Sequence, residues 1–137
     1  MPNISIHRKS HFNAAHRLFN KRWDQQKNTE VFGKCANPHY HGHNYELIVT
    51  VNGEINQETG FVINLDLLKK IIENEVEDYL DHKNLNEQID EFKILNPTVE
   101  NIAVVIWNRL KNKLESELKL EVTLYETSRN FATYKGN

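Results

Sequence analysis

Alternation of apolar and polar residues predicts four β-strands along this chain. In the first strand, which runs toward His16, the apolar residues fall at even positions: Ile4, Ile6, Phe12 and Ala14. Positions 45–52, 120–124 and 131–135 follow the same period of two. Because the side chains of a strand alternate between the two faces of a sheet, each strand is expected to bury one face.

Two stretches between the second and third strands carry the period of an amphipathic helix. Apolar residues recur every three or four positions from Asp66 to Leu80, and Asp66 is the expected N-cap. A second helix is expected after its N-cap Thr98, with a buried stripe of Ile102, Ile106, Leu110, Leu114 and Leu118. Residues 20–40 are polar and show neither period, so we expect a long loop there.

The order strand, strand, helix, helix, strand, strand predicts an α+β fold with an antiparallel four-stranded sheet. Two helices on one face of that sheet would leave both sheet edges unpaired, which favours assembly of several copies. A chain of 137 residues without an internal repeat or linker is expected to form one domain over 1–137.

The amino-acid composition indicates which classes of binding partner are not expected. A formal net charge of −2 gives no reason to expect nucleic acid, which normally requires a basic face. The sequence has no stretch of roughly 18 apolar residues and no signal-peptide pattern, so no membrane partner is expected. One cysteine cannot form an intrachain disulfide, and a reducing, cytoplasmic setting is therefore expected.

A group of histidines is the strongest chemical signal in the sequence. His41 and His43 are two positions apart at the start of the second strand, and His16 ends the first strand. Three imidazoles with an open fourth position are typical of a catalytic zinc site. A set that uses His39 stays open, but the nearby Pro38 favours a loop position for His39.

Three further positions could carry chemistry, each with a simpler alternative. Cys35, which follows Lys34 in a polar loop, is either a general base favoured as a thiolate by nearby positive charge or a small buried hydrophobe. Asp81 and His82 form either a proton relay or an exposed turn after a helix. Glu126, at the end of the third strand, either accepts hydrogen bonds from the amino-imino edge of a heterocycle or is solvated.

Seven short motifs together resemble one known family over nearly the whole chain. They are FNAAHRL at 12–18, GKCANP at 33–38, HGHNY at 41–45, LDHKNL at 80–85, TVEN at 98–101, YET at 125–127 and YKG at 134–136. In this order they resemble the 6-pyruvoyl-tetrahydropterin synthase family. The resemblance implies the tunnelling fold (T-fold), in which three subunits close a β-barrel and two trimers form a homohexamer.

The resemblance also implies an activity and a set of site residues. Members are carbon–oxygen lyases that convert 7,8-dihydroneopterin triphosphate to 6-pyruvoyl-tetrahydropterin and eliminate triphosphate. Carried onto this chain, the resemblance implies that Zn²⁺ is held by His16, His41 and His43, that Cys35 is the base, that Asp81 and His82 transfer protons, and that Glu126 binds the pterin with help from Thr98. The cations available for the triphosphate are Arg17, Lys21, Arg22 and Lys34, and the sequence does not rank them.

Two alternatives to this activity remain at the level of sequence. The related 6-carboxy-tetrahydropterin synthase of queuosine biosynthesis uses the same substrate and also releases acetaldehyde, but typically has three residues between its cysteine and the HGH motif. Here five residues separate Cys35 from His41, which favours the pyruvoyl product. On the other side, Asn96-Pro97-Thr98 resembles bacterial members, and Val99 departs from the threonine of many animal enzymes. A non-catalytic pterin-binding or metal-binding module is the second alternative.

Overall fold

A computed structural model describes residues 2–137 as an α+β fold. The strands are β1 (Asn3–His16), β2 (His41–Glu54), β3 (Lys83–Asn84), β4 (Lys119–Tyr125) and β5 (Phe131–Tyr134). The α-helices are α1 (Gln25–Phe32), α2 (Leu65–Ile72), α3 (Asp78–Leu80), α4 (Leu85–Gln88) and α5 (Val99–Lys111). A π-helical stretch, Glu73–Glu77, joins α2 to α3, and 3₁₀ turns cover Gly33–Ala36 and Asp90–Lys93. Within residues 2–137, no helix combines the length and apolarity that a bilayer span requires.

One five-stranded sheet, in the order β3-β1-β2-β4-β5, supports the whole fold. The four strands expected from the sequence are present and pair antiparallel. The fifth, β3, is two residues long and lies parallel to β1, with Lys83 opposite Ala14. It adds an edge that hydrophobic periodicity could not indicate, because two residues show no period.

The core lies between one face of the sheet and the helices. Phe12 and Tyr45 stack on that face with their ring centroids 4.9 Å apart, and both are fully buried. They belong to one apolar cluster with Leu68 of α2 and Ile106 of α5. Removal of this apolar surface from water is the main stabilising contribution to the fold. The odd positions of β1 face the opposite, open side of the sheet.

The helix boundaries differ from the sequence-based expectation in three places. Asn64, rather than Asp66, caps α2, because its Oδ1 accepts a hydrogen bond from the Asp66 N–H at 2.8 Å. Thr98 caps α5 as expected, but α5 ends at Lys111, before Leu114 and Leu118. The expected loop over 20–40 contains α1, which begins after its N-cap Asp24.

Asn28 explains how a polar segment forms the ordered helix α1. Its side chain is fully buried. The Oδ1 atom accepts a hydrogen bond from the Asn20 N–H at 2.7 Å, and Nδ2 donates to the carbonyls of Asn20, Trp23 and Asp24. One amide thus satisfies the backbone of the 20–24 turn, which otherwise has little apolar surface to bury.

Replacing Asn28 should loosen this turn. Asn28→Ala removes four hydrogen bonds and leaves the Asn20 N–H and the Trp23 carbonyl without this partner, so the free energy of unfolding should fall by about 2–3 kcal/mol. Urea unfolding measures this change, and hydrogen exchange should quicken over 20–24. The matched control is Asn108→Ala on the exposed side of α5, expected to change stability by at most about 0.5 kcal/mol. Equal effects of both substitutions would contradict the role of Asn28.

Candidate metal centre

Three imidazoles meet at the end of the β1–β2 hairpin. His16 is the last residue of β1 and pairs with His41, the first residue of β2, while His43 pairs with Ala14. Residues opposite one another in an antiparallel pair share a face, so all three rings project to the core side. The ring centroids lie 4.6 to 5.0 Å apart. One ligand nitrogen from each ring can lie within 4.8 Å of the other two.

A hydrogen bond outside the hairpin orients the His16 ring. The Pro97 carbonyl lies 2.7 Å from His16 Nδ1, and a carbonyl can only accept, so Nδ1 carries the proton. Nε2 is then the lone-pair nitrogen, directed toward the other imidazoles. Within residues 2–137, Nε2 of His16 and Nε2 of His43 are buried and have no hydrogen-bond partner. A metal ion would satisfy both nitrogens.

The electrostatics keep the His16 imidazole neutral. Burial is the main cause that lowers the pKa of His16 from 6.5 to about 4; the Pro97 hydrogen bond opposes this shift, and the charges of His41 and His43 add to it. Burial, followed by the charge of His43, also lowers the pKa of His41. A metal ion binds only the neutral imidazole. Three nitrogen donors of this kind fit Zn²⁺, with room for another ligand.

His39 lies apart from this cluster. It is exposed in the turn before β2, and its backbone N–H donates to Asn37 Oδ1 at 2.9 Å. The structure therefore groups His16, His41 and His43, and the set that uses His39 does not form. That the three imidazoles bind a metal stays a prediction.

Glu126 borders the three imidazoles. It follows β4 on the face that holds the buried Leu124, and its carboxylate lies 4.0 Å from His16 Nε2. Its side chain is 22% exposed, so a ligand above the imidazoles could reach it. Burial of the Tyr45 hydroxyl, followed by the charge of Glu126, raises the pKa of Tyr45, whose ring contacts those of His16 and His43.

Cys35 sits in a 3₁₀ turn fastened to the end of β1. Its carbonyl accepts a hydrogen bond from the Leu18 N–H at 2.8 Å, and the Ala36 carbonyl accepts one from Arg17 Nη2 at 2.8 Å. Burial and then the charge of Glu126 raise the pKa of the half-buried Cys35 thiol. We expected nearby positive charge to favour the Cys35 thiolate, but the charged groups of this chain do not do so. A bound cation would supply it.

Asp81 and His82 lie elsewhere on the molecule. Asp81 accepts a hydrogen bond from the Asn13 N–H at 2.8 Å and lies 3.0 Å from His82 Nδ1. The Asn13 hydrogen bond is the main cause of a lowered pKa of Asp81. The His82 side chain is 81% exposed and borders a shallow pocket with Asn13, Ala15 and Gly42 on the open side of the sheet. Within one chain, this pair and the three imidazoles face opposite sides of the sheet.

Thr98 has a structural position next to the cluster. Its hydroxyl accepts a hydrogen bond from the Asn101 N–H at 3.1 Å, which caps α5. The Asn101 side chain donates to the Asn96 carbonyl at 2.9 Å, so the segment that carries the Pro97 carbonyl is held from both ends. The role of Pro97 was not predicted from the sequence, because a backbone acceptor has no side-chain signature. The sequence feature that could have drawn attention to this position is the proline directly before the N-cap Thr98.

The lowered pKa of His16 makes the metal-free protein sensitive to acid. As the pH falls below 6.5, the unfolded chain takes up the proton before the folded chain does, so the contribution of neutral His16 is lost toward about pH 4. Between about pH 7 and about pH 4.5 the chelator-treated protein should lose about 2–3 kcal/mol of unfolding free energy from this residue. Urea unfolding of wild type and His16→Gln at both pH values measures the difference. An identical loss in both proteins would contradict the assignment.

Comparison with known proteins finds similar proteins over nearly the whole chain. The family model of 6-pyruvoyl tetrahydropterin synthase matches residues 5–137. The 6-pyruvoyl tetrahydrobiopterin synthase of Pongo abelii is 45% identical over 131 residues, which cover 96% of this chain and 90% of that protein. The 6-carboxy-5,6,7,8-tetrahydropterin synthase of Rickettsia bellii is 29% identical over 146 residues, with coverage of 93% and 97%.

A solved structure of the 6-pyruvoyl tetrahydropterin synthase of Caenorhabditis elegans superposes on this fold with a TM-score of 0.94. The two chains are 39% identical, and the match covers 100% of this chain and 98% of the other. The fold is therefore the T-fold, and the chain belongs to the 6-pyruvoyl tetrahydropterin synthase family of pterin synthases.

Proposed function

We propose that this protein is a zinc-dependent 6-pyruvoyl-tetrahydropterin synthase. It converts 7,8-dihydroneopterin triphosphate to 6-pyruvoyl-tetrahydropterin and eliminates triphosphate, as a cytoplasmic carbon–oxygen lyase. The observation that carries the proposal is the meeting of three imidazoles, two of them with buried and unpartnered Nε2 atoms within residues 2–137. Three imidazole ligands with an open fourth position are typical of a catalytic zinc site rather than of a structural one.

The predicted site residues have separate roles in this reaction. Zinc, when bound, supplies Lewis-acid stabilisation of negative charge that develops on substrate oxygen. Glu126 accepts hydrogen bonds from the amino-imino edge of the pterin, and Thr98 assists this recognition from the start of α5. The Cys35 thiolate removes a carbon-bound proton. Asp81 orients His82, which returns protons to the substrate.

The positions of His82 and of the imidazole cluster on opposite sides of the sheet point to a composite site. The pair Asp81–His82 is exposed on the open side of the sheet, and its electrostatic neighbour is His11 rather than the imidazole cluster. We propose that His82 of one copy serves the cluster of another copy. The homohexamer that the family resemblance implies would bring the two surfaces together, and the sheet has two edges available for pairing.

The pyruvoyl product is favoured over the carboxy product. The relative named for the pyruvoyl reaction is 45% identical, against 29% for the relative named for the carboxy reaction. The five residues between Cys35 and His41 support the same choice. The carboxy reaction is the alternative, and identification of the pterin product distinguishes the two reactions.

Identification of the pterin product tests the proposal directly. Zinc-loaded protein incubated with 7,8-dihydroneopterin triphosphate should release triphosphate and yield 6-pyruvoyl-tetrahydropterin, identified by mass. Chelation of zinc should abolish the release, and added zinc should restore it. Formation of 6-carboxy-tetrahydropterin with acetaldehyde would support the alternative reaction. Release of no triphosphate at any zinc loading would reject both reactions.

A cysteine variant separates an enzyme from a binding module. Cys35→Ala should lower kcat by about 10²-fold or more, because it removes a general base, while zinc content and pterin binding stay near wild type. The matched control is Ser128→Ala, a similar loss of one small polar group in the exposed turn after β4. A Cys35 variant with wild-type turnover would show that the thiol is not the base.

Mixed oligomers test the composite site. Cys35→Ala and His82→Asn should each be inactive, but co-assembled copies should recover about a quarter of wild-type activity, because one site in four joins an intact thiol to an intact imidazole. The control mixes Cys35→Ala with a Cys35→Ala, His82→Asn double variant, which contains no complete site. Recovery no greater than in that control would place both groups in one subunit.

A further inference from the structure

Tyr40 has a backbone conformation that bulky residues rarely adopt. Its φ angle is 67°, in the left-handed region, where a residue with a Cβ crowds its own backbone. Within residues 2–137, the other non-glycine residues with a positive φ are His82 and Asn137. A costly conformation of this kind persists only where the surrounding structure holds it, and such conformations cluster at functional sites. The contacts that hold Tyr40 therefore bear on its role.

Tyr40 is the last residue before β2. Its backbone N–H donates to the Asn37 carbonyl at 3.1 Å, which closes the turn that follows the Cys35 segment. The next residue, His41, pairs with His16, and this pair ends the β1–β2 ladder. The left-handed residue directs the chain from the turn into β2. The position of the His41 imidazole therefore depends on the conformation of Tyr40.

A side-chain hydrogen bond to α4 anchors Tyr40. Its hydroxyl donates to Glu87 Oε1 at 2.8 Å, and a bond to a carboxylate is stronger than one between neutral groups. The helix that carries Glu87 is itself fixed to the end of β1, because Asn86 and the backbone of Arg17 share hydrogen bonds of 2.8 and 3.0 Å. Arg17 follows His16 directly. One short helix thus holds the end of β1 and the start of β2.

The segment from Cys35 to His41 is fastened near both of its ends. The Cys35 carbonyl accepts a hydrogen bond from the Leu18 N–H, and the Tyr40 hydroxyl bonds to Glu87. Residues 37–39 between these points are exposed, so burial does little to restrain them. Without the Tyr40 hydroxyl, the second end of the segment would be free to relax to a negative φ and to move His41.

We propose that Tyr40, anchored by Glu87, is a positioning residue that holds the His41 imidazole ready for the metal. The hydrogen bond offsets the cost of the left-handed conformation, so the metal-free chain already places His41 beside His16 and His43. A protein that is only fractionally in its binding-competent conformation binds its ligand more weakly by that fraction. The inference rests on the proposed function for the identity of the metal and on the conformation of Tyr40 for the effect.

Three substitutions separate the hydroxyl from the backbone conformation. Tyr40→Phe keeps the costly conformation but removes the hydrogen bond, so the affinity for Zn²⁺ should fall by about tenfold. Tyr40→Gly removes the same bond, but glycine adopts a positive φ readily, so the affinity should stay within about threefold of wild type. Glu87→Gln keeps an acceptor for the hydroxyl and should also stay within about threefold. Competition with a chromophoric chelator for Zn²⁺ measures all four proteins.

Tyr79→Phe is the matched control. The Tyr79 hydroxyl also donates to a carboxylate, that of Glu91, at 2.5 Å, but Tyr79 lies in α3 and has no positive φ. Its loss should leave the affinity for Zn²⁺ within about twofold. Equal weakening by Tyr79→Phe and Tyr40→Phe would overturn the inference. A Tyr40→Gly protein as weak as Tyr40→Phe would also overturn it, because the conformation would then not be what the hydroxyl supports.

The outcomes separate this inference from the proposed function. At saturating Zn²⁺, Tyr40→Phe should show a kcat within about threefold of wild type, because His41 is then held as a ligand. A low kcat under that condition would place the hydroxyl on the substrate and overturn the positioning role. The expected order of affinities in a protein that releases no triphosphate keeps the inference and rejects the reaction. Wild-type affinity of Tyr40→Phe, in a protein that does release triphosphate, rejects the inference alone.

Discussion

The register of the β1–β2 hairpin is the constraint on which the candidate site depends. Both strands are 14 residues long, and His16 lies opposite His41 only because the pairing extends without a bulge from Asn3 to His16. A slip of one residue would move His41 and His43 to the open side of the sheet. The buried face that includes Phe12 and Tyr45 resists that slip. Core packing therefore sets the positions of the imidazoles.

Hydrogen bonds from irregular segments orient the side chains that the hairpin brings together. The Pro97 carbonyl orients His16, and Asn86 clamps the backbone of Arg17, although both residues are about 70 to 80 positions away in sequence. The Leu18 N–H ties the turn that carries Cys35 to the same strand end. The rigid sheet thus supplies the location of the site, and a few polar contacts supply its orientation.

The hydrophobic period of the sequence predicted the long strands and helices but not the short ones. β1, β2 and β4 were predictable because each buries one face, and β5 because its alternate residue Tyr134 packs against the core. By contrast, α1 contains QQKNTEVF and depends on the Asp24 cap and the buried amide of Asn28. The π-helical stretch between α2 and α3 has no periodic signature either. The His-x-His spacing allowed the imidazole cluster to be predicted. The placement of Asp81 and His82 on the open side of the sheet could not be predicted from the sequence, because it follows from the pairing of β3 with β1.

The backbone of His82 limits which side chains can occupy that position. Its φ angle is 59°, in the left-handed region, and its N–H donates to the Asn13 carbonyl at 2.6 Å. Residues with a Cβ pay about 1–2 kcal/mol for this conformation, and asparagine tolerates it better than most. Alanine at position 82 would remove the ring but keep the backbone strain. Glycine would remove the ring and relieve the strain at the same time. Asparagine removes the imidazole while leaving the chain path at the end of the helix nearly undisturbed.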